Sequence, residues 1–325
     1  MNGWRKVVLT LVTLLLAAVV SGCALPPIPG TAPLRYRDSI FTDVTVTRNL
    51  EYGRAPDGQG QQVSLTLDVY RPFGDTQTSR PALVWVHGGG WSFGDKTNPI
   101  PVEVANTFAK LGYVVASINY RLLGGSNCLV EPFNCIVPAY AAKHDAQAAV
   151  RWLRANAGTY GIDPTRIGIG GDSAGGVTAA LVGLQSEDVG SSGNPGWPST
   201  VRGFVSVSGG LPISGLASPD DPPGLFFHGS ADPVPVAWST DTGDEMLDAG
   251  LLAFVQVQEG AGHVPWEQYR SLYIEQSKRF LYLSLDLAHA AGQPPAATRA
   301  AERQLEEFQD SAAGEPLLEQ VAPAG

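Results

Sequence analysis

Two stretches near the start of the chain, Val44–Tyr52 and Gln62–Tyr70, alternate apolar and polar residues. That period of two marks strands with one face buried. Ala82–Val86 (ALVWV) and Tyr113–Ile118 (YVVASI) are instead continuously apolar, as strands covered on both faces are. Ala139–Ala157 changes to a helical period, with Ala146, Val150 and Leu153 on one stripe. Further along, Arg166–Gly170, Val201–Val207, Leu225–Phe227 and Leu252–Val257 read as strands. Ala174–Leu184, Val236–Ala249 and Pro265–Leu285 read as helices. Strands alternating with helices predict an α/β fold: a mostly parallel sheet with helices on both faces. The first two strands follow each other without a helix between them, which predicts an antiparallel start.

Composition adds limits. Apolar residues make up 44% of the 325 residues and charged residues 16%, against ~25% charged in an ordinary soluble domain. There is ample material for one large core. The net charge of −10 repels phosphate backbones and argues against nucleic-acid binding.

The ends of the chain differ from the middle. Arg5 and Lys6 precede an apolar run from Val7 to Val20, which fits the positive and hydrophobic regions of an export signal. The run ends in Val20-Ser21-Gly22-Cys23, which resembles a bacterial lipobox. In that motif the cysteine is lipidated and becomes the first residue of the mature protein. The expected organisation is therefore a lipoprotein signal peptide over 1–22 and a Pro-rich tether over 23–35. The folded α/β domain over 36–285 follows, then an acidic, loosely held tail over 286–325. Cys23 would hold the exported protein to a membrane through acyl chains such as palmitate. In an exported protein Cys128 and Cys135 are expected to form a disulfide. Neither a third cysteine nor a histidine lies in their loop, so a zinc site is not expected there.

The chemistry gathers at the C-terminal ends of the expected strands, where ligands bind in such sheets. Gly171-Asp-Ser173-Ala-Gly175 follows the strand RIGIG and opens the next helix. It fits the strand–turn–helix setting of a nucleophile elbow, with Ser173 as nucleophile. His87-Gly-Gly89-Gly90-Trp91 follows the strand ALVWV. Its bare backbone N–H groups suit an oxyanion hole, and Gly89 and Gly90 are the expected donors with Ala174. Asp232 follows the strand LFF, whereas Asp220 and Asp221 precede it and Asp241 falls on the next helix. His263 follows the strand LAFVQV. Of the other histidines, His87 and His144 precede Ser173, His228 precedes the acid, and His289 lies in the tail. Ser173, Asp232 and His263 thus stand in the order of a nucleophile, an orienting acid and a base.

Together with Tyr120-Arg-Leu122 and the stretch VRWLRANAGTYGIDPTRIGIGGDSAGG, these segments resemble the α/β-hydrolase carboxylesterases. The similarity is to hormone-sensitive-lipase-like bacterial esterases and to small feruloyl and acetyl esterases, over roughly residues 60–285. The resemblance implies a triad of Ser173, Asp232 and His263, an oxyanion hole of Gly89, Gly90 and Ala174, no cofactor and no metal. It implies a carboxylic ester substrate, carried on a small molecule or a polymer. A serine peptidase, an amidase or a thioesterase on the same fold is the alternative, and a non-catalytic binding module is a further one. The short Gly209–Pro223 connection leaves no room for a large cap. The Cys128–Cys135 loop and residues 186–200 are expected to wall the pocket instead, leaving an open site for short acyl groups.

Asp172 and Asp145 are read as local hydrogen-bonding residues. Trp91 and Asp95 either line the site or pin the glycine loop. Trp197, Trp238 and Trp266 are read as core or rim packing, and Tyr269, Tyr273 and Phe280 as the buried face of the last helix. The lipobox reading predicts that blocking lipoprotein signal peptidase in a bacterial host leaves a heavier precursor, and that Cys23→Ala abolishes labelling by a radioactive fatty acid. An unchanged mass rejects it.

Overall fold

The computed structural model of the protein describes residues 25, 27, 28, 30, 33–124 and 132–290. The signal peptide, Cys23, Cys128 and the tail beyond residue 290 lie outside the described residues.

Eight strands form one sheet in the order β1-β2-β4-β3-β5-β6-β7-β8. They are β1 Val44–Pro56, β2 Gln62–Pro72, β3 Arg80–Val86, β4 Val114–Ile118, β5 Ile162–Asp172, β6 Phe204–Val207, β7 Gly224–Gly229 and β8 Ala253–Gln258. Strand β2 is antiparallel to both β1 and β4, and every later pair is parallel. The α/β class, the parallel core and the antiparallel start therefore stand as expected.

Five main helices cover the faces. They are α1 Pro99–Leu111, α2 Ile136–Ala155, α3 Ala174–Leu184, α4 Ala237–Asp248 and α5 Trp266–Ser284. Helix α1 is absent from the pattern reading. It starts at Pro99, a first-turn proline, and stops at Gly112 in the left-handed region (φ 113°), the usual signals for a start and a stop.

The central strands are apolar on both faces because both faces are covered. On β3, Ala82, Val84 and Val86 join the cluster under α2 and α3, while Leu83 and Trp85 join the one under α1 and α5. Strand β7 divides the same way, Phe226 to one side and Leu225 and Phe227 to the other. The Ile-Gly alternation of β5 has a steric cause. A Cβ on Gly170 would stand 2.6 Å from the ring of Trp85, so glycine is what lets that buried indole pack on the neighbouring strand.

The boundaries of the domain shift outward. The segment expected as a free tether is pinned: Leu25 is buried, its N–H donates to Gln276 Oε1 (3.0 Å), and its carbonyl accepts from Arg279 (2.7 Å). Arg37 donates to the carbonyl of Gly30 (2.8 Å). A proline-rich composition signals extension but carries no sign of one leucine finding a socket on α5. At the other end, Leu287 is fully buried against the same helix layer, so the packed domain runs past residue 285.

The start of the domain is locked to the sheet by Asp75. Its carboxylate takes a two-pronged bond from Arg35 (2.7 and 2.9 Å) and another from Arg80 at the head of β3 (2.7 Å). Burial alone would raise the Asp75 carboxyl, but the two guanidinium groups outweigh it and hold the pKa at about 2. The folded value lies below the unfolded one. The stabilisation is therefore complete above pH ~4 and is lost as pH falls toward 2. Asp75→Asn is expected to cost about 1–3 kcal/mol at pH 7 in urea unfolding. That difference from wild type should shrink as pH drops from 4 to 2; a pH-independent difference would contradict the assignment.

Candidate active site

Strand β5 runs directly into α3 through Ser173, whose φ of 54° and ψ of −122° lie outside the ordinary regions for a side-chain-bearing residue. The turn survives because the neighbours have no side chains to clash. A Cβ on Gly175 would come 2.1 Å from the Val86 carbonyl oxygen, and one on Gly171 would come 2.4 Å from the backbone of Gly175. The turn is held by a bond from Ser173 N–H to the Val207 carbonyl (2.7 Å). The Ser173 hydroxyl is left standing at the C-terminal edge of the sheet.

His263 and Asp232 meet it there. His263 Nε2 lies 2.8 Å from Ser173 Oγ, and His263 Nδ1 lies 2.8 and 3.0 Å from the two Asp232 carboxylate oxygens. An acceptor facing Nδ1 places the proton on that nitrogen, so Nε2 presents its lone pair to the serine hydroxyl. The Asp232 side chain is fully buried, while His263 is about one-third exposed. Burial would raise the Asp232 carboxyl. Hydrogen bonds from His263 and from the Val234 N–H (2.7 Å) outweigh it, with a smaller contribution from the Ser208 side chain, and keep the group below its ordinary value. The acid therefore remains an anion beside the imidazole.

The glycine loop faces the serine. Gly89 and Gly90 both adopt positive φ (120° and 58°), and with Ala174 they line a cleft of about 920 Å³ that also contains Ser173 and His263. Among the described residues, the N–H groups of Gly89, Gly90 and Ala174 have no acceptor within the protein. Ala174 is the first residue of α3, so its free donor also sits at the positive end of the helix. The loop is tied to the elbow by Asp172, whose carboxylate accepts from Gly88 N–H (3.1 Å) and Trp85 Nε1 (3.3 Å). Burial raises the Asp172 carboxyl to about 6, partly offset by those two donors.

The remaining residues sort by contact. Trp91 does both things considered for it: it lines the cleft, and its Nε1 donates to Thr178 Oγ1 (3.2 Å). Asp95 pins the loop, accepting from Thr97 and Asn119. Trp238 and Trp266 stand on the rim of the cleft, whereas Trp197 is exposed and away from it. Asp145 is structural, bound to Arg121 and Ser192. On α5, Tyr273 and Phe280 are buried, and Tyr269 is partly buried against the same cluster. His87 is buried and stacked on Tyr120 (4.4 Å). His228 is buried between the Val234 carbonyl and Ser239, and His144 pairs with Asp188.

The expected walls need correction. Residues 186–200 line no part of the cleft; Ser192 and Asn194 bond back to α2 and β1. Residues Asn98–Pro101 at the start of α1 and Pro265–Gln268 at the start of α5 wall it instead. Of the Cys128–Cys135 loop, residues 128–131 lie outside the described residues, and Phe133 and Cys135 line a smaller cavity beside the cleft.

Ser208 is the member that pattern reading misses. It directly follows β6 with a φ of 50° and is buried. Its oxygen accepts from Val264 N–H (2.9 Å), and its hydroxyl helps to keep the Asp232 carboxyl low. It thus fixes the residue after His263 and favours the anion of the acid. Its only sequence signal is a serine before Gly209-Gly210 at a strand end.

Among the described residues, no group of three or more His, Cys, Asp or Glu is placed to hold a metal ion, and no helix is long and apolar enough to cross a membrane.

Residues 67–196 match the BD-FAE family. The chain is 39% identical over 110 residues to carboxylesterase NlhH of Mycobacterium tuberculosis, covering 34% of this chain and 31% of that one. It is 37% identical over 124 residues to arylacetamide deacetylase of Bos taurus, covering 37% and 28%. It thus spans about a third of the length of the curated relatives it matches. Among solved structures, a truncated carbohydrate esterase from gut microbiota superposes with a TM-score of 0.62 at 23% identity, covering 77% of this chain and 98% of that one. The butyrate-bound esterase Est2 of Thermogutta terrifontis superposes with a TM-score of 0.58 at 23% identity, covering 72% and 92%. The fold is that of the α/β-hydrolases.

The bond to Val264 and the effect on Asp232 predict that Ser208→Ala slows labelling of Ser173 by a fluorophosphonate roughly tenfold. The far-UV circular dichroism should not change. Wild-type labelling in the variant would remove Ser208 from the site.

Proposed function

We propose that this chain is a serine carboxylic-ester hydrolase that works through an acyl-enzyme. The observation that carries this reading is the continuous hydrogen-bond chain Ser173–His263–Asp232 facing three unpaired N–H donors. His263 Nε2 takes the Ser173 proton as Oγ attacks the ester carbonyl. The Gly89, Gly90 and Ala174 amides hold the developing oxyanion, and Asp232 stabilises the charged imidazole. His263 then gives its proton to the departing alcohol. Water, activated by the same imidazole, releases the acid and restores the serine. The matches to a carboxylesterase and to esterase structures support the same chemistry, and no step calls for a metal or a cofactor.

The reading includes the substrate side, short-acyl or polymer-borne esters, and the location, outside the cytoplasm on a lipid anchor at Cys23. The first is supported by the open cleft, the second by the apolar run ending in VSGC. A disulfide between Cys128 and Cys135 belongs to the same exported setting.

The test is hydrolysis of p-nitrophenyl acetate, butyrate, octanoate and palmitate by the protein and by Ser173→Ala. Activity on the short chains is expected, falling by at least ~10⁴ in the variant. Full activity in Ser173→Ala refutes the site. An inert wild type that cleaves peptide or thioester substrates instead would move the reading to the alternatives on the same fold.

A further inference from the structure

A second, smaller cavity of about 110 Å³ adjoins the cleft. The two are walled in common by Trp91, Val177 and Trp238. Its remaining lining is almost wholly apolar, with Leu181, Leu211 and Ile213 facing Phe133, Ile136 and Ala139. The one hydroxyl in the wall, that of Tyr140, is engaged by Gln185 Oε1 (2.6 Å). Nothing in the mechanism above uses this space.

Its position relative to the reacting atoms is informative. Val177 follows Ser173 by one helical turn, and Trp91 follows the two oxyanion glycines directly. The cavity therefore lies on the α3 and glycine-loop side of the serine. His263 and residues 264–268 line the large cleft and contribute nothing to the small one. In ester cleavage the departing oxygen must be reached by His263 Nε2, so the alcohol occupies the His263 side. The acyl substituent then points away from the imidazole, toward the shared wall.

Resting on the esterase reading, we infer that the small cavity is the acyl subsite and that the large cleft holds the alcohol. Its size sets the acyl class. An apolar cavity of ~150 Å³ accepts benzene, with its six carbons; one of 110 Å³ takes about four. The favoured substrates are acetyl to roughly pentanoyl esters of a bulky alcohol. A rigid feruloyl group, an aromatic ring held on a three-carbon chain, exceeds the space. Bulk is tolerated on the opposite side of the ester, in a cleft about eight times larger walled by Phe93, Ile100 and Trp266.

Two variants at partly exposed rim positions test this without disturbing the core, since Ile213 is 37% and Ile136 39% exposed. Ile213→Trp fills the cavity. It is expected to lower kcat/KM for p-nitrophenyl butyrate and pentanoate at least tenfold while changing acetate by less than about twofold. Ile136→Ala enlarges the cavity and is expected to shift the preferred chain toward octanoate. A series of methyl, phenyl and naphthyl acetates should respond to neither substitution. Wild type should favour the butyrate over a feruloyl ester by more than ~100-fold. The inference is overturned if the alcohol series moves while the acyl series does not, if neither moves, or if the feruloyl ester is cleaved as fast as the butyrate. An inert wild type is a different failure, that of the esterase reading itself, and takes this inference with it.

Discussion

The site depends on how closely the first turn of α3 approaches the ends of β3 and β5. Ser173 sits at φ 54°, a conformation that costs on the order of 1–3 kcal/mol and persists only where the surroundings over-determine it. Here they do. The Gly175 backbone lies so near the Val86 carbonyl that no side chain fits between them, and Ser173 N–H is tied to Val207. This one contact turns the hydroxyl out of the sheet, starts α3 with a free Ala174 N–H, and sets that donor beside the glycine loop. Relaxing it would move nucleophile and oxyanion donors together.

Around this turn the protein buries carboxylates and gives each its own partners. Asp172 joins the glycine loop to the elbow through Gly88 and Trp85, and burial leaves it far easier to protonate than an ordinary aspartate. Asp232, a few residues beyond β7, goes the other way because His263 and the Val234 N–H both donate to it. The contrast follows from the balance of two effects: desolvation favours the neutral acid, and hydrogen bonds to the anion reverse it. Holding Asp232 ionised keeps the imidazole oriented, with its free nitrogen toward the serine. Ser208 and the strained Val264 (φ 43°) complete the clamp on the loop that carries the histidine.

The two cavities express the same geometry on the substrate side. Trp91 is held by Thr178, so the wall between acyl and alcohol sides is set by the loop that supplies the oxyanion donors. Positioning of the carbonyl and selection of the acyl chain are thereby built from adjoining residues. Room for a large alcohol comes from the starts of α1 and α5, two elements far apart in sequence.

Much of this is readable along the chain. The parallel strands announce themselves as apolar runs, because covering both sheet faces removes any polar alternation. Ser173, Asp232, His263 and the glycine loop stand out because each ends a strand, and a parallel sheet delivers all such ends to one edge. What the sequence determined, then, is the set of local decisions: strand or helix, the glycines of the elbow, the order of the reacting side chains. Tertiary structure decided the contacts made across the chain. Leu25 docks on α5, Leu287 joins the same layer, residues 186–200 fold back on α2 rather than over the cleft, and Ser208 reaches Val264. None of these has a periodicity or a neighbouring motif to reveal it. Each depends on which surfaces meet once the sheet has formed, and a buried leucine or a bridging hydroxyl is chosen by the partner that arrives, not by the residues beside it in sequence.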